Sequence, residues 1–396
     1  MFKGLKVKKD EGIDIILDVD NLILKAVKRG CSDIHIEPFE DDVRIRFRID
    51  GRLYEEERVN KSIYQRYISR IKVMSGLNIA EKRLPQDGAF NFKYEDFNVD
   101  IRVSTISTIY GEKVVLRILQ KDEEKIKLEN LGILPQDLEE LLRLSKVENG
   151  LIYLTGPTGC GKTTTLYSLL GLLNDERVNI ITIEDPVEFK IPGINQIQIN
   201  EKAGITFSSA LRSILRQDPE IILVGETRDK ETAQISVRAS ITGHKVFSTL
   251  HTNDSYSAIV RLLDMDVEDY LIRASLRGVV SQRLIRNLCP HCKVESTISQ
   301  RQIDYLKGLG IKDIPKTVFS PCGCSHCHEG YLGRKALLEI LIIDSEFRKL
   351  IVEDVNLDDL KALGKKKGIG TLEYKGALDF ISGNTSFEEL ANLSII

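Results

Sequence analysis

The run Gly156-Pro157-Thr158-Gly159-Cys160-Gly161-Lys162-Thr163 matches G-x-x-x-x-G-K-[ST] in full, and few sequence features restrict a fold as tightly. An apolar stretch (151–155) precedes it and a helical stretch (164–173) follows, so the loop is expected to join a buried strand to a helix N-terminus. Its glycines let backbone N–H groups turn inward around phosphates, and the helix dipole adds positive charge. Lys162 is expected to reach the β- and γ-phosphates, Thr163 to ligate Mg2+, and Gly156 through Thr164 to contact the nucleotide, ATP. The plainer alternative is a glycine-rich strand-to-helix turn with no ligand.

Downstream, apolar runs alternate with helical segments, the pattern of a parallel sheet with crossover helices. Strands are expected at 151–155, 180–183, 221–224 and 246–250. Each ends beside chemistry. Glu184, in Glu184-Asp185-Pro186-Val187-Glu188, emerges at a strand end beside the phosphate loop and is the candidate to polarise an attacking water, against the reading of a solvated acidic turn. Glu226 closes Ile221-Ile222-Leu223-Val224-Gly225-Glu226, the form of a strand that supports Mg2+; Gly225 stands where many such enzymes have Asp. His244 and His251 flank the strand at 246–250, placed either as γ-phosphate sensors or as structural groups. Arg212 and Arg216 share one helical face and could serve a site, an interface or a surface ion pair.

The chain has 396 residues, more than one ordinary domain. The stretch before residue 120 reads as mixed helix and strand. At 43–49 Val, Ile and Phe alternate with Arg44, Arg46 and Arg48, so one face should be core and the other a row of guanidinium groups. A second strand pair, 99–103 and 114–119, turns through Tyr110-Gly111 and carries Arg102 and Arg117. The charged run 121–127 is the expected linker.

Net charge is only −3 and tryptophan is absent, so a nucleic-acid partner is not expected. No apolar run approaches the roughly 18 residues a membrane span needs. The early apolar run 15–17 is bounded by Asp14 and Asp18, too short for a secretory leader, which places the chain in the cytoplasm. In that reducing compartment Cys289-x-x-Cys292 and Cys324-x-x-Cys327 read as a four-thiolate Zn2+ site. Cys322, His291, His326 and His328 are spare ligands, and a redox thiol pair is the alternative.

At these residues the chain resembles the secretion ATPase superfamily, specifically the motors of type IV pili and type II secretion pseudopili. The likeness rests on the phosphate loop, TIEDPVE (182–188), LRSILRQDPEIILVGETRD (211–229) and TGHKVFSTLHTND (242–254). It extends to SDIHIEP (32–38), DGRL (50–53), RLPQDG (83–88) and YGEKVVLRIL (110–119), which are similar to the family's PAS-like N-terminal domain. The resemblance implies that Arg102 and Arg117 reach the nucleotide phosphates and that six chains form a ring. It also implies that the ring drives a polytopic inner-membrane platform protein and meets the membrane only through it. The tetracysteine module and the following Gly330–Arg334 segment point to assembly rather than retraction; a retraction motor, or a nucleic-acid translocase, are the other classes with this core. Three departures are Cys160 for a usual Ser, Glu220 for Asp and Thr227 for an aliphatic residue. Longer members add an N-terminal docking domain, and none is expected here.

The expected fold class is α/β, a PAS-like α+β domain followed by a RecA-like P-loop core. The boundaries expected are 1–120 for the first domain, 121–130 for a linker, 131–288 for the core, 289–335 for the zinc module and 336–396 for a helical C-terminal region.

Overall fold

A computed structural model describes residues 14–94, 97–119 and 127–393, together with the backbone of 7–8. Residues 121–126 of the expected linker lie outside this set. The chain forms two compact units, Met1–Asp122 and Glu123–Ile396.

In the first unit the Arg/apolar alternation does what period two requires. Strand β3 (Val43–Ile49) buries Val43, Ile45, Phe47 and Ile49 and leaves the three arginines half-buried on the opposite face. The guanidinium groups are neutralised across the sheet: Arg46 meets Glu37 at 2.7 Å, Arg48 meets Asp33 at 3.4 Å and Arg44 meets Glu55 at 3.3 Å. Seven strands make the sheet: β1 (Val7–Lys8), β2 (Asp33–Pro38), β3, β4 (Arg52–Val59), β5 (Gln86–Tyr94), β6 (Phe97–Thr108) and β7 (Gly111–Leu119). Their order is β1-β4-β3-β2-β7-β6-β5, with only the β1–β4 pair parallel. Two helices, α1 (Ile15–Lys28) and α2 (Lys61–Met74), cover the apolar face, and Val19, Ile23, Tyr67 and Ile71 pack on Ile34, Ile36, Ile45 and Phe47. Asp14 caps α1 by accepting from the Ile16 amide at 3.0 Å, which explains a carboxylate directly before an apolar run.

The second unit begins with α3 (Pro135–Ser145), β8 (Gly150–Thr155) and α4 (Lys162–Leu173). Next come β9 (Ile180–Glu184), β10 (Asn195–Gln198), α5 (Phe207–Ile214), β11 (Ile221–Val224), α6 (Lys230–Ile241) and β12 (Lys245–Leu250). Helices α7 (Ser257–Asp264) and α8 (Asp269–Ser275) lead into β13 (Leu276–Leu288). The sheet order is β10-β9-β11-β12-β8-β13-β16, and every pairing is parallel except the last. The edge strand β16 (Tyr331–Ile342) comes from the segment expected to close the cysteine module and open a helical region. Period two hid it, because residues 336–341 are buried on both faces, between helices and sheet neighbours.

Between β13 and β16 the chain inserts a small module with β14 (Val294–Thr297), α9 (Gln300–Gly308) and β15 (Thr317–Ser320). Helices α10 (Ser345–Leu350), α11 (Leu357–Lys366), α12 (Leu372–Ile381) and α13 (Phe387–Leu393) close the unit. Two cores sandwich the sheet. One face holds Leu151, Ile183, Leu211, Ile222, Val237 and Ile259; the other holds Ile152, Leu154, Leu166, Leu169, Leu223 and Phe247. Among the described residues no helix is long and apolar enough to cross a membrane.

Candidate functional site: a phosphate loop and its strand-end carboxylates

Because β8, β9, β11 and β12 run parallel, the residues that follow them gather at one edge of the sheet. That edge collects the phosphate loop after β8, Glu184 at the end of β9, Glu226 after β11 and His251 after β12. His244 precedes β12 and therefore lies at the opposite edge, where its Nδ1 sits 2.9 Å from the Ala239 carbonyl. The two histidines do not share a site.

Helix α4 opens at Lys162 with Gly161 as its cap. Gly161 has φ of 89°, a conformation that favours glycine, and a Cβ there would lie 2.8 Å from Gln282 Nε2 and require that side chain to shift. Lys162 is buried, and its ammonium donates to the carbonyls of Gly156 at 2.6 Å and Pro157 at 3.1 Å. The side chain thus curls back across the loop, the posture of a lysine that encircles a phosphate group. Burial holds its pKa below the ordinary lysine value. Thr163 and Thr164 follow on the first helical turn, half-buried. The Cys160 thiol is buried beneath the loop, 3.9 Å from the Lys162 ammonium. Pro157, Thr158 and Gly159 complete the turn.

Glu184 is buried, and its carboxylate accepts from Thr182 Oγ1 at 2.6 Å, from Gln196 Nε2 at 3.2 Å and from the Tyr167 hydroxyl. It is not part of a solvated turn. Gly225 donates its amide to the Ile183 carbonyl at 2.8 Å, and a Cβ at 225 would sit 3.1 Å from that oxygen and 3.2 Å from the Glu184 Cα. Glycine in place of the more usual Asp is therefore a matter of room beside Glu184. Glu226 pairs with Arg228 at 2.7 Å and lies 3.7 Å from His251 Nε2. His251 is half-exposed; burial lowers its pKa, and the nearby Lys162 ammonium pushes in the same direction. Arg212 forms a surface ion pair with Glu231, while Arg216 donates to the Arg212 carbonyl at 2.9 Å, so the pair serves the surface. The buried Thr227 hydroxyl is satisfied, lying 2.8 Å from Ser248 Oγ. Glu220 accepts the Asn179 amide at 2.6 Å, tying down the start of β9.

Several contributors carried no sequence signal. Gln282 on β13 donates to the Cys160 carbonyl at 2.8 Å and accepts from Thr165 Oγ1 at 2.8 Å, fastening loop and helix. Arg283 beside it is buried and donates to the Asn253 carbonyl at 3.3 Å, tying β13 to the loop after β12. Thr155 and Thr252 join the ends of β8 and β12 through hydroxyls 2.6 Å apart. Gln282 lies over a hundred residues from the phosphate loop it supports and Arg283 lies 30 residues from Asn253, and a polar residue in a strand forms no motif. Tyr167 and Gln196 were equally silent.

In the first unit Arg102 and Arg117 stand directly opposite each other on β6 and β7. Arg117 is mostly exposed, with its Nε 3.2 Å from Asp33. Both therefore occupy one polar face of the sheet.

The Sγ atoms of Cys289, Cys292, Cys324 and Cys327 all lie within 4.8 Å of one another. Three of the separations are 3.9 Å (Cys289–Cys324), 3.6 Å (Cys292–Cys327) and 3.7 Å (Cys324–Cys327). Four sulfurs about 2.3 Å from a central Zn2+ would be about 3.8 Å apart, so the set fits a tetrahedral thiolate site. The Gly323 amide lies 3.3 Å from Cys292 Sγ and the Cys324 amide 3.2 Å from Cys327 Sγ, donors that suit thiolates. Among the described residues, the spare Cys322 and histidines are not in the cluster.

Residues 8–392 match the model of the family described as type II/IV secretion system protein. The chain is 44% identical over 389 residues to the putative type II secretion system protein E of Escherichia coli K12, spanning 98% of this chain and 78% of that one. It is also 44% identical over 376 residues to the type IV pilus assembly ATPase PilB of Thermus thermophilus, spanning 94% of this chain and 42% of that protein. Among solved structures, the pilus retraction motor PilT with bound ADP aligns at a TM-score of 0.62 and 25% identity, over 94% of this chain and 96% of that one. The ATPase DotB of Legionella pneumophila shares the fold at a TM-score of 0.71 and 20% identity, over 98% of each chain. By the extent of the family match and the identity to these relatives, the chain belongs to the type II/IV secretion system protein family.

Proposed function

We propose that this protein is an ATP-hydrolysing motor, working as a homohexamer, that powers assembly of a type IV pilus or a type II secretion pseudopilus from the cytoplasmic side of a polytopic inner-membrane protein. The observation that carries the reading is the single sheet edge where a complete phosphate loop, a buried and anchored Glu184, and Glu226 with His251 converge. Relatives 44% identical are a type II secretion system protein E and a type IV pilus assembly ATPase.

In this account the loop amides and Lys162 hold the nucleotide phosphates, and Glu184 orients and deprotonates the attacking water. Thr163 and Glu226 would hold Mg2+, which supplies charge neutralisation on the phosphate oxygens when bound. His251 stands beside Glu226 as the group that reports on the γ-phosphate. Arg102 and Arg117 contribute guanidinium charge to the phosphates from the first unit, the PAS-like domain. The four cysteines would hold a structural Zn2+, with a closed ligand set and no role in the reaction.

Retraction is the nearest competing function, because PilT has a similar fold. The tetracysteine cluster favours assembly. The decisive experiment is ATP turnover by the purified full chain with Mg2+, alone and with single-stranded DNA, beside Lys162→Ala. Turnover lost in the variant and indifferent to DNA supports the motor. Activity that survives in Lys162→Ala refutes the site, and stimulation by DNA would indicate a translocase. Capture of the polytopic membrane protein encoded nearby tests the partner.

A further inference from the structure

Glu184 is gripped from three directions. Thr182 lies two residues back on the same strand, and the carboxylate would carry that contact with it wherever β9 went. The other two donors belong to different elements. Tyr167 stands on α4 four residues beyond Thr163, hence one turn along the same helical face. Gln196 stands on β10, opposite Thr182 in the register of the parallel pair. Glu184 is therefore referenced both to the helix that begins at the phosphate loop and to the neighbouring edge strand.

The same two side chains shape the acidic loop between β9 and β10. The Tyr167 hydroxyl accepts the Glu188 amide at 3.3 Å, and its ring meets Phe189 edge-on with centroids 4.5 Å apart. Gln196 accepts the Ile191 amide at 2.7 Å and donates to the Phe189 carbonyl at 3.1 Å. A carboxylate offers about four acceptor positions. Three are taken: Oε2 by Tyr167, Oε1 by Thr182 and Gln196. By that count one acceptor position remains, and a water about to be deprotonated needs one.

We infer that Tyr167 and Gln196 are positioning residues for hydrolysis, fixing the Glu184 carboxylate so that its one open acceptor position faces the attacking water. The inference rests on Glu184 being the base. Loss of either donor leaves the carboxylate with two of its three anchors and a less defined orientation, so the rate of the chemical step falls while nucleotide binding, made elsewhere by the loop, is kept. A purely structural pair would act through folding or through binding.

The test uses the full chain with Mg2+ and Zn2+ and the variants Tyr167→Phe, Gln196→Leu, Glu184→Gln and Tyr167→Phe/Glu184→Gln. Steady-state turnover against ATP concentration, binding of a fluorescent ADP and the thermal midpoint are measured for each. Tyr167→Phe should lower kcat about tenfold with KM and ADP affinity within about twofold. Added to Glu184→Gln it should change the residual rate less than about twofold, because nothing is left to position. Turnover at the parent rate in both single variants, a loss confined to KM, or a loss that multiplies fully with Glu184→Gln overturns the inference. Parent turnover in Glu184→Gln instead overturns the assignment of the base. Should Tyr167→Phe fail to fold, Gln196→Leu, on the edge strand, carries the same comparison.

Discussion

At the scale of single residues, the site depends on what is absent as much as on what is present. Gly225 leaves the gap beside the end of β9 and Glu184, so Gly225→Ala puts a methyl 3.1 Å from the Ile183 carbonyl oxygen and 3.2 Å from the Glu184 Cα, and the backbone must give by a few tenths of an ångström. We expect a stability loss of about 1–3 kcal/mol from the overpacking. Turnover should fall further than that loss explains, since the displaced group is Glu184. Thermal denaturation and kcat measured on the same preparation separate the two effects. Lys162 shows the converse case of a charge held ready: its ammonium already satisfies two loop carbonyls, so a γ-phosphate must compete with them rather than with bulk water alone. Lys162→Ala should reduce kcat/KM at least about a hundredfold, read by phosphate release, with the fold intact by circular dichroism.

At the scale of elements, β16 and the cysteine module make predictions of different kinds. Glu339 on β16 is buried and accepts both the Ser255 amide at 2.9 Å and its hydroxyl at 2.5 Å. Burial nonetheless raises its pKa above the usual 4.5. With the folded value above the unfolded one, the folded state holds the proton longer. Its contribution to stability is therefore present below about 4.5 and is lost as pH rises through the folded pKa. Glu339→Gln keeps an acceptor for Ser255 without the buried charge. It should raise the thermal midpoint by about 2–4 °C at pH 8 and leave it unchanged near pH 4. A midpoint that falls at both values refutes the argument. The cysteine module, a two-stranded sheet and one helix inserted between β13 and β16, contributes only Ile298, Leu306, Ile311 and Val318 to a small core completed by Ala377 and Phe380 of α12 and Leu390 of α13. A core of that size needs a staple. The full chain should carry about one zinc by elemental analysis, and Cys292→Ser should lose it together with several degrees of thermal midpoint.

At the scale of the whole molecule, the chain comprises two units with separate cores, and the proposed role of Arg102 and Arg117 makes participation of the first unit in the reaction a question for experiment. Arg117 lies mostly exposed on its sheet, with Asp33 as its neighbour, so its removal threatens little packing. Arg117→Ala should lower kcat at least about tenfold while each unit keeps its thermal transition, if the first unit supplies charge to the phosphates. An unchanged kcat would confine the chemistry to the second unit. An exposed ion pair such as Arg117–Asp33 contributes only about 0–1 kcal/mol to stability, so a large loss of kcat would not trace to unfolding.

The phosphate loop, four strands of the parallel sheet (β8, β9, β11 and β12, but not β10 or β13), the arginine stripe of β3 and the paired cysteines were legible from residue order alone. Each is a local signal: a backbone turn that only glycine permits, an apolar run, a period of two, a repeated ligand spacing. Glu184 and Glu226 were legible as strand-end carboxylates, whereas His244 and His251 looked alike in sequence and were separated only by the direction of β12. The grip on Glu184 by Tyr167 and Gln196, the support of the phosphate loop by Gln282, the tie from Arg283 to the loop after β12, and the edge place of β16 came from tertiary structure. Hydrogen bonds between residues far apart in the chain depend on which strands become neighbours, and sheet order is set by packing of the whole core rather than by any local pattern.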